Sequence, residues 1–440
     1  MSEAENELWR LGVPAKTRHN EVAPAQFELA PIFEDLNLAV DHNMLTMEIL
    51  RQTADRHGLV CLLHEKPFAG VNGSGKHTNW ALSYGGRNLL DPGDDPRQNA
   101  IFLTVLAGVI KAVDSYSDLL RMTVAGAGND HRLGANEAPP AIISIYLGRE
   151  LTGILEQLGQ GQDFSPVGGD SFSQVGVDLL PPLPKDSTDR NRTSPFAFTG
   201  QKFEFRAPGS SQSCAGPMTV LNTIVAEAFN ELADKLENLD DFNAGLEKVL
   251  AETVQAHRRI IFNGDGYSDE WRQEALARGL NDAPDTMSAL AALKEEKNLA
   301  LLEKYGVYSR RELESRYEIF MEEYHRRVRI EGELSLEMAR TMIKPAAVEY
   351  YALLAETRRA AGQGGVAAGL EALGHDLDDL GNLLDELDHG CRNLTEALPG
   401  LHEGIIEASA GLRAVVDRLE GLIPDQSWPL PKYREMLFIY

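Results

Sequence analysis

Gly70-Val-Asn-Gly-Ser-Gly75-Lys76-His77 joins a glycine-rich loop to the segment 77–84, whose residues alternate as in a strand. The spacing of Gly70, Gly75 and Lys76 matches most of a P-loop, but a P-loop needs Ser or Thr at position 77 and opens a helix. We therefore reject a P-loop and predict a loop whose backbone closely approaches a polar ligand, followed by a strand. His77 is a candidate metal ligand at the start of that strand, although a lone histidine is more often structural.

Outward from this stretch, the first half of the chain mixes candidate helices with short candidate strands. Helical periodicity covers 33–57 and 97–122. Apolar or alternating segments predict further strands at 59–65, 141–147 and 196–205. A stretch rich in Gly, Pro, Asp and Ser from 159 to 189 predicts a long loop, and after about Cys214 strand patterns almost disappear.

The end of the chain carries the most regular pattern. Apolar residues alternate steps of three and four at Leu377, Leu380, Leu384, Leu387, Cys391, Leu394 and Leu398. The spacing continues through Leu401, Ile405, Leu412, Val415, Leu419 and Leu422. Because Pro399-Gly400 interrupts this heptad seam, we predict two helices that pack as a hairpin. An internal bundle is favoured, and contacts between subunits are the alternative.

Composition excludes several classes of protein. The 440 residues carry a formal net charge of -25, which disfavours nucleic acid as a partner because the chain would repel phosphate backbones. The three cysteines are far apart and form no CxxC pair, so reduced thiols in a cytoplasmic protein are expected. No apolar run approaches the length that spans a bilayer, and no membrane partner is predicted.

Two carboxylates lie seven residues apart in Arg18-His-Asn-Glu21-Val-Ala-Pro-Ala-Gln-Phe-Glu28. An extended segment with a proline turn could bring Glu21 and Glu28 together on Mg²⁺ or Mn²⁺, which prefer carboxylate oxygens. Taken alone, two glutamates near a loop are more often solvated surface groups.

A polar, glycine-interrupted segment runs from Gly128 to Glu137 between a candidate helix and a candidate strand. It fits a mobile flap over an active site, in which the planar fork of Arg132 would bind a carboxylate or a phosphate. An ordinary surface connection with an Arg–Glu pair is the alternative.

Charged residues also occur in Phe203-Glu204-Phe205-Arg206, which follows Asn191-Arg192 along the chain. In a strand, Glu204 and Arg206 share one face and the two phenylalanines share the other. Such a pair lines a site or forms a salt bridge at a sheet edge, and the local pattern does not separate these two possibilities.

Taken together and in this order, the motifs resemble the successive signatures of the glutamine synthetase catalytic domain. The wordings Arg18-His-Asn-Glu-Val-Ala-Pro-Ala-Gln, Gly-Lys76-His-Thr-Asn-Trp and Asp130-His-Arg-Leu-Gly-Ala-Asn-Glu resemble the type III branch. The resemblance implies an α+β fold, with an antiparallel sheet and flanking helices in a catalytic segment over 1–236. A helical region over 237–440 follows, with its heptad-patterned helices at 377–422.

The resemblance also implies an activity, the ATP-dependent ligation of ammonia to L-glutamate through γ-glutamyl phosphate. It implies a two-metal site with Mg²⁺ or Mn²⁺, ATP as co-substrate, and a homo-oligomer that in the family is a dodecamer. The metal ligands that it implies are Glu21, Glu28, His77 and Glu204. The residues that it implies for binding the amino-acid substrate are Asn72, Gly73 and Arg132. The groups that it implies for phosphate charge and for the flap are Arg192, Arg206 and Glu137.

One departure from the family pattern concerns the metal ligands. The family also uses a Glu-x-Glu pair on an earlier strand, and no segment before Glu21 matches that strand. We therefore expect the chain alone to be inactive unless a separate N-terminal polypeptide supplies those carboxylates. The alternatives are a non-catalytic scaffold or regulatory remnant of the family and a related carboxylate–amine ligase.

Overall fold

The computed structural model describes residues 1–23, 25–160, 172–173, 183–184, 193–237, 239–365, 368–432 and 435. The chain divides into two units, Met1–Glu318 and Ile319–Tyr440. The sequence places a boundary at 236/237 instead, where the mixed segment gives way to helices, and that boundary stays a prediction.

Short strands of the first unit form several small sheets. The strands are β1 (Ala15–Asn20), β2 (Phe27–Pro31), β3 (Thr78–Trp80), β4 (Ser83–Tyr84), β5 (Arg87–Asn88), β6 (Ile145–Tyr146), β7 (Phe172–Ser173), β8 (Leu183–Pro184), β9 (Phe196–Phe198) and β10 (Phe203–Phe205). The largest sheet has the order β3-β10-β9-β6, in which β3, β10 and β9 are antiparallel and β6 runs parallel to β9. The predicted antiparallel sheet therefore holds for three of its four strands.

Alternation in β9 and β10 explains how this sheet is anchored. Phe196, Phe203 and Phe205 are fully buried, and the rings of Phe196 and Phe203 stack with centroids 4.6 Å apart. Burial of one such aromatic side chain contributes roughly 2–3 kcal/mol. The phenylalanine face therefore holds the sheet in the core and directs Glu204 of β10 to the opposite face.

Helices supply the rest of the first unit. They are α1 (Ser2–Arg10), α2 (Leu36–Arg56), α3 (Ala100–Ser115), α4 (Ser117–Met122), α5 (Ala127–Asp130), α6 (Gly148–Gly159), α7 (Ala215–Leu236), α8 (Phe242–His257), α9 (Asp269–Ala277), α10 (Thr286–Leu290), α11 (Glu296–Lys304) and α12 (Arg310–Met338), the last of which ends in the second unit. The central one is α3, which begins with Asn99 capping the amide of Phe102 and packs against α7 and α8. Apolar residues surround α3 almost completely, as expected of a core helix.

Helices are the only regular elements among the described residues of the second unit. A π-helical turn over Ala339–Ile343 leads from α12 to α13 (Lys344–Gln363), which is followed by α14 (Leu370–Ala397) and α15 (His402–Leu422). The predicted hairpin is confirmed, because α14 ends just before Pro399-Gly400 and packs against α15. Leu383 is buried where the seam predicted Leu384, because α14 packs against both α13 and α15 and its apolar face is wider than one seam.

One predicted strand was wrong. Residues 59–65 pair with no strand, and Leu59 and Val60 are 65% and 82% exposed. The carbonyl of Leu63 instead accepts a hydrogen bond from Ser210 Oγ, and the carbonyl of Glu65 accepts one from the amide of Ser74. Because loops take up these backbone groups, the apolar run has no adjacent strand to join.

The remaining expectations meet the structure only in part. Most of the predicted loop at 159–189 lies outside the described residues, so that prediction stands untested. Each of the three cysteines is a free thiol. Within the described part of the chain, none of the helices combines the length and the apolar character that a bilayer crossing requires.

Candidate functional site

The hairpin β1–β2 brings together the two carboxylates of the first motif. Its register places His19 directly opposite Glu28, and the amide of Glu21 donates to the carbonyl of Gln26 across the turn. His19 Nε2 lies 2.7 Å from Glu21 Oε1 and 3.7 Å from Glu28 Oε2. Hairpin pairing therefore converts a spacing of seven residues into a cluster.

This cluster has the donors that a hard divalent cation requires. One ligand atom each from His19, Glu21 and Glu28 lies within 4.8 Å of the other two. Two carboxylate oxygens and one imidazole nitrogen suit Mg²⁺ or Mn²⁺, with waters completing the coordination. Burial, together with the adjacent Glu21, raises the pKa of Glu28, which marks a concentration of negative charge that a cation would relieve.

A second cluster lies on the polar face of β3 and β10. Phe205 pairs with Thr78, so His77 and Glu204 are diagonal neighbours on one face, and His77 Nδ1 lies 3.2 Å from Glu204 Oε1. Arg206 donates to Glu204 Oε2 through Nε at 3.0 Å and Nη2 at 2.7 Å. Burial opposes ionisation, but the hydrogen bond from His77 and the charge of Arg206 lower the pKa of Glu204 to about 2.

The two clusters are close enough to interact electrostatically. The imidazoles of His19 and His77 both act against the rise in the pKa of Glu28. The predicted metal ligands Glu21, Glu28, His77 and Glu204 therefore form two adjacent groups. Their roles as ligands stay predictions.

The glycine-rich loop lies beside the hairpin turn. Gln26 donates from Nε2 to the carbonyl of Gly73 at 3.0 Å and to Ser74 Oγ at 2.9 Å. Asn72 Nδ2 donates to Glu137 Oε2 at 2.8 Å. The loop thus connects the hairpin cluster to the predicted flap.

The predicted flap has an unusual backbone at its acidic end. Asn136 and Glu137 have φ of 52° and 66°, in the left-handed region that residues other than glycine seldom adopt. Lys66 Nζ donates to Asn136 Oδ1 at 3.0 Å. Tyr267 lies near Glu137, and burial together with the charge of Glu137 raises the pKa of Tyr267 to about 12. Strain of this kind persists only where neighbours hold the backbone in place, and it is common at ligand sites.

Arg132 occupies a different environment from the one that the sequence predicts. Its side chain is 3% exposed, and its guanidinium donates to Asn129 Oδ1 and to the carbonyls of Arg206 and Ala207 at 3.0–3.2 Å. Burial lowers its pKa to about 10, a shift that the charge of Glu65 opposes. In this conformation Arg132 supports the loop after β10, and its role in binding a substrate carboxylate stays a prediction.

The site contains residues that the sequence did not point to, and one predicted residue lies outside the described part of the chain. Arg192 lies outside the described residues, so its predicted role has no structural test. His19, Gln26 and Tyr267 join the site and were missed. Alternation in an extended segment could have indicated His19, which shares a strand face with Glu21. Gln26 and Tyr267 carry no local signal.

Two protein-family models match the chain. The model described as the glutamine synthetase catalytic domain matches residues 1–142, and the model of the glutamine synthetase C-terminal domain matches residues 245–361. Together they span more than half of the chain.

Curated relatives align with the whole chain. It is 46% identical to the type-3 glutamine synthetase of Dictyostelium discoideum, covering 62% of that protein. It is 42% identical to the glutamine synthetase of Butyrivibrio fibrisolvens and 40% identical to that of Bacteroides fragilis, covering 64% and 63% of those proteins. The chain therefore spans less than two thirds of the length of these relatives.

Proposed function

The chain belongs to the glutamine synthetase family, in its type III branch, and on that premise we propose that it carries the catalytic site for ATP-dependent ligation of ammonia to L-glutamate. In the proposed reaction the γ-phosphoryl group of ATP passes to the γ-carboxylate of glutamate. Ammonia then displaces phosphate from the γ-glutamyl phosphate and forms glutamine. The observation that carries the proposal is the adjacency of the hairpin cluster and the His77–Glu204 pair.

Phosphoryl transfer requires charge neutralisation and in-line positioning more than covalent chemistry. We propose that His19, Glu21 and Glu28 hold one divalent cation and that His77 and Glu204 hold the second. Mg²⁺ or Mn²⁺ bound there supplies positive charge to the phosphate oxygens and to the glutamate carboxylate. With a pKa of about 2, Glu204 is ionised at neutral pH and available as a ligand.

Arg206 is placed to act on the same phosphate charge. It is 6% exposed and bonded to Glu204, so its guanidinium is already oriented before a substrate arrives. Such preorganised charge stabilises a transition state without a reorganisation cost. We propose the same role for Arg192, which follows from the family motif alone.

Glu137 is proposed as the acid–base group of the flap. Its carboxylate accepts a hydrogen bond from Asn72, which places it against the loop that is proposed to bind L-glutamate. There it would take a proton from ammonium and exclude water from the acyl phosphate. The strained backbone at Asn136 and Glu137 supports a segment held for function.

Assembly is part of the proposal. Glutamine synthetases act as homo-oligomers, and we propose that this chain assembles with copies of itself, with a dodecamer as the family form. Mass measurement by light scattering would test that assembly.

The experiment that tests the metal site is a Mn²⁺ titration of the chain. Binding is measured by calorimetry or by the loss of the electron paramagnetic resonance signal of free Mn²⁺. Glu28→Gln removes one carboxylate from the hairpin cluster, and we expect Mn²⁺ affinity at one site to fall at least tenfold. Glu150→Gln, an exposed charge change on α6, serves as the matched control. Equal affinities in all three proteins would contradict the metal assignment.

A γ-glutamyl transfer assay with Mn²⁺ and ADP tests the chemistry. Turnover that Glu137→Gln lowers at least tenfold would support the assignment of the flap carboxylate. Metal and nucleotide binding without turnover, even after addition of a polypeptide that supplies the Glu-x-Glu carboxylates, would favour the non-catalytic alternative. In the ATP-dependent forward reaction, faster turnover with another amine than with ammonia would favour a related ligase.

A further inference from the structure

A buried carboxylate that the proposed mechanism does not use lies beneath the glycine-rich loop. Glu65 is 3% exposed and sits in the segment that the sequence misassigned to a strand. An ionised or neutral carboxyl at such depth is costly unless hydrogen bonds compensate, so its presence requires a reason.

The contacts of Glu65 connect loops from three parts of the chain. Its Oε1 accepts hydrogen bonds from the amide of Ser211 at 3.0 Å and from Ser211 Oγ at 2.6 Å. Its own carbonyl accepts the amide of Ser74 at 2.8 Å. One residue therefore bonds both the glycine-rich loop and the loop that follows β10.

Glycines shape the space around the carboxylate. A Cβ on Gly128 would lie 2.1 Å from Glu65 Oε2, and a Cβ on Gly209 would lie 2.5 Å from Glu65 Oε1. Side chains at these positions would displace the carboxylate, since real Cβ atoms do not approach so closely. Gly128 belongs to α5 at the base of the flap, so the third segment also closes on Glu65.

Charge balance points the same way. The negative charge of Glu65 acts on two cations, the buried Arg132 and the partly buried Lys76. Lys76 Nζ donates to the carbonyl of Ser210 at 2.8 Å, and the amide of Lys76 donates to the carbonyl of Pro208 at 2.9 Å. Glu65 thus contributes to the charge balance of both basic side chains around the loops.

We propose that Glu65 is a positioning residue for the substrate subsite. Glu65 holds the loop Asn72–Gly75 against the flap base and the loop 207–212, and it does not itself touch the substrate. None of the described residues donates a hydrogen bond to its Oε2, so charge and shape, rather than a full set of hydrogen bonds, retain it. The proposal rests on the proposed function for the identity of the substrate, but the loop geometry is independent of it.

The test compares Glu65→Gln, which keeps the shape and removes the charge, with Glu150→Gln on the exposed face of α6. We expect backbone amides of 72–75 and 209–212 to exchange with deuterium about fivefold faster in Glu65→Gln, because a charge-assisted hydrogen bond becomes a neutral one. Gly128→Ala displaces the carboxylate by a different route and is expected to speed exchange in the same two loops.

Ligand affinities separate positioning from a general loss of structure. We expect Glu65→Gln to lower L-glutamate affinity about tenfold while Mn²⁺ affinity at the hairpin cluster stays within twofold. Unchanged exchange in both loops, or equal losses for both ligands, would overturn the proposal. If the unsubstituted chain binds no L-glutamate, the proposed function fails, and the exchange comparison alone then decides the role of Glu65.

Discussion

Substitution of Gly75 by alanine tests whether this position requires glycine because the side chain of Arg132 fills the space that a Cβ would occupy. A Cβ at position 75 would lie 2.0 Å from Arg132 Nη2 and 2.3 Å from its Cζ. A flexible side chain usually moves aside at little cost, but this guanidinium is buried and bonded to Asn129 and to the carbonyls of 206 and 207. The clash therefore has to break hydrogen bonds from a charged donor.

The magnitude follows from those bonds. Each hydrogen bond from a charged group contributes roughly 1.5–3 kcal/mol, so the loss of two with partial recovery costs about 3 kcal/mol. Alanine offsets roughly 0.4–1 kcal/mol of this by restricting the unfolded chain. We expect Gly75→Ala to lower the free energy of unfolding of the first unit by about 2–3 kcal/mol.

Urea unfolding followed by tryptophan fluorescence measures this change. At a slope of roughly 2–3 kcal/mol per M, the midpoint should fall by about 1 M. Gly216→Ala is the matched control, because that glycine lies in the first turn of α7 and a Cβ there meets nothing within 4 Å. A midpoint for Gly75→Ala equal to that of the control would refute the argument that Arg132 is immobile.

Three further predictions concern other parts of the chain. Asp114 is 5% exposed and accepts hydrogen bonds at 2.8 Å from His257 and from Arg259. Asp114→Asn should therefore lower the free energy of unfolding, measured with a chemical denaturant, by about 2–4 kcal/mol. A decrease of less than about 0.5 kcal/mol would contradict the pairing. Leu387 is fully buried in α14, so Leu387→Ala should lower the free energy of unfolding of the second unit by roughly 2–5 kcal/mol, followed by circular dichroism. An effect no larger than that of the same change at an exposed leucine would show that the seam is not packed. Asn72→Ala removes the hydrogen bond to Glu137, so the rate of limited proteolysis within 133–139 should rise severalfold while Mn²⁺ affinity is retained. An unchanged proteolysis rate would show that this hydrogen bond does not hold the flap.

The sequence predicted most residues of the candidate site, because the proposed chemistry requires particular side chains. Glu21, Glu28 and His77 are residue types that bind hard cations, and Glu204 and Arg206 share a strand face by simple alternation. The sequence equally predicted the last two helices, α14 and α15. Their apolar spacing is a local property that follows from 3.6 residues per turn.

Other features depend on contacts between distant segments, and local pattern does not encode them. The apolar run 59–65 has strand character but no adjacent strand, because loops at 74 and 210 take its backbone bonds. Strand propensity records only that a segment suits a pleated surface, so pairing requires a partner that the local sequence does not specify.

By itself, then, the sequence determined the chemical groups, the family and the helical end of this protein. Tertiary structure decided which groups meet. Hairpin register placed His19 opposite Glu28, and glycines at 75, 128 and 209 made room for the buried charges of Arg132 and Glu65. The physical reason is range: periodicity and residue type act over a few positions, whereas burial of a charge depends on partners from several parts of the chain.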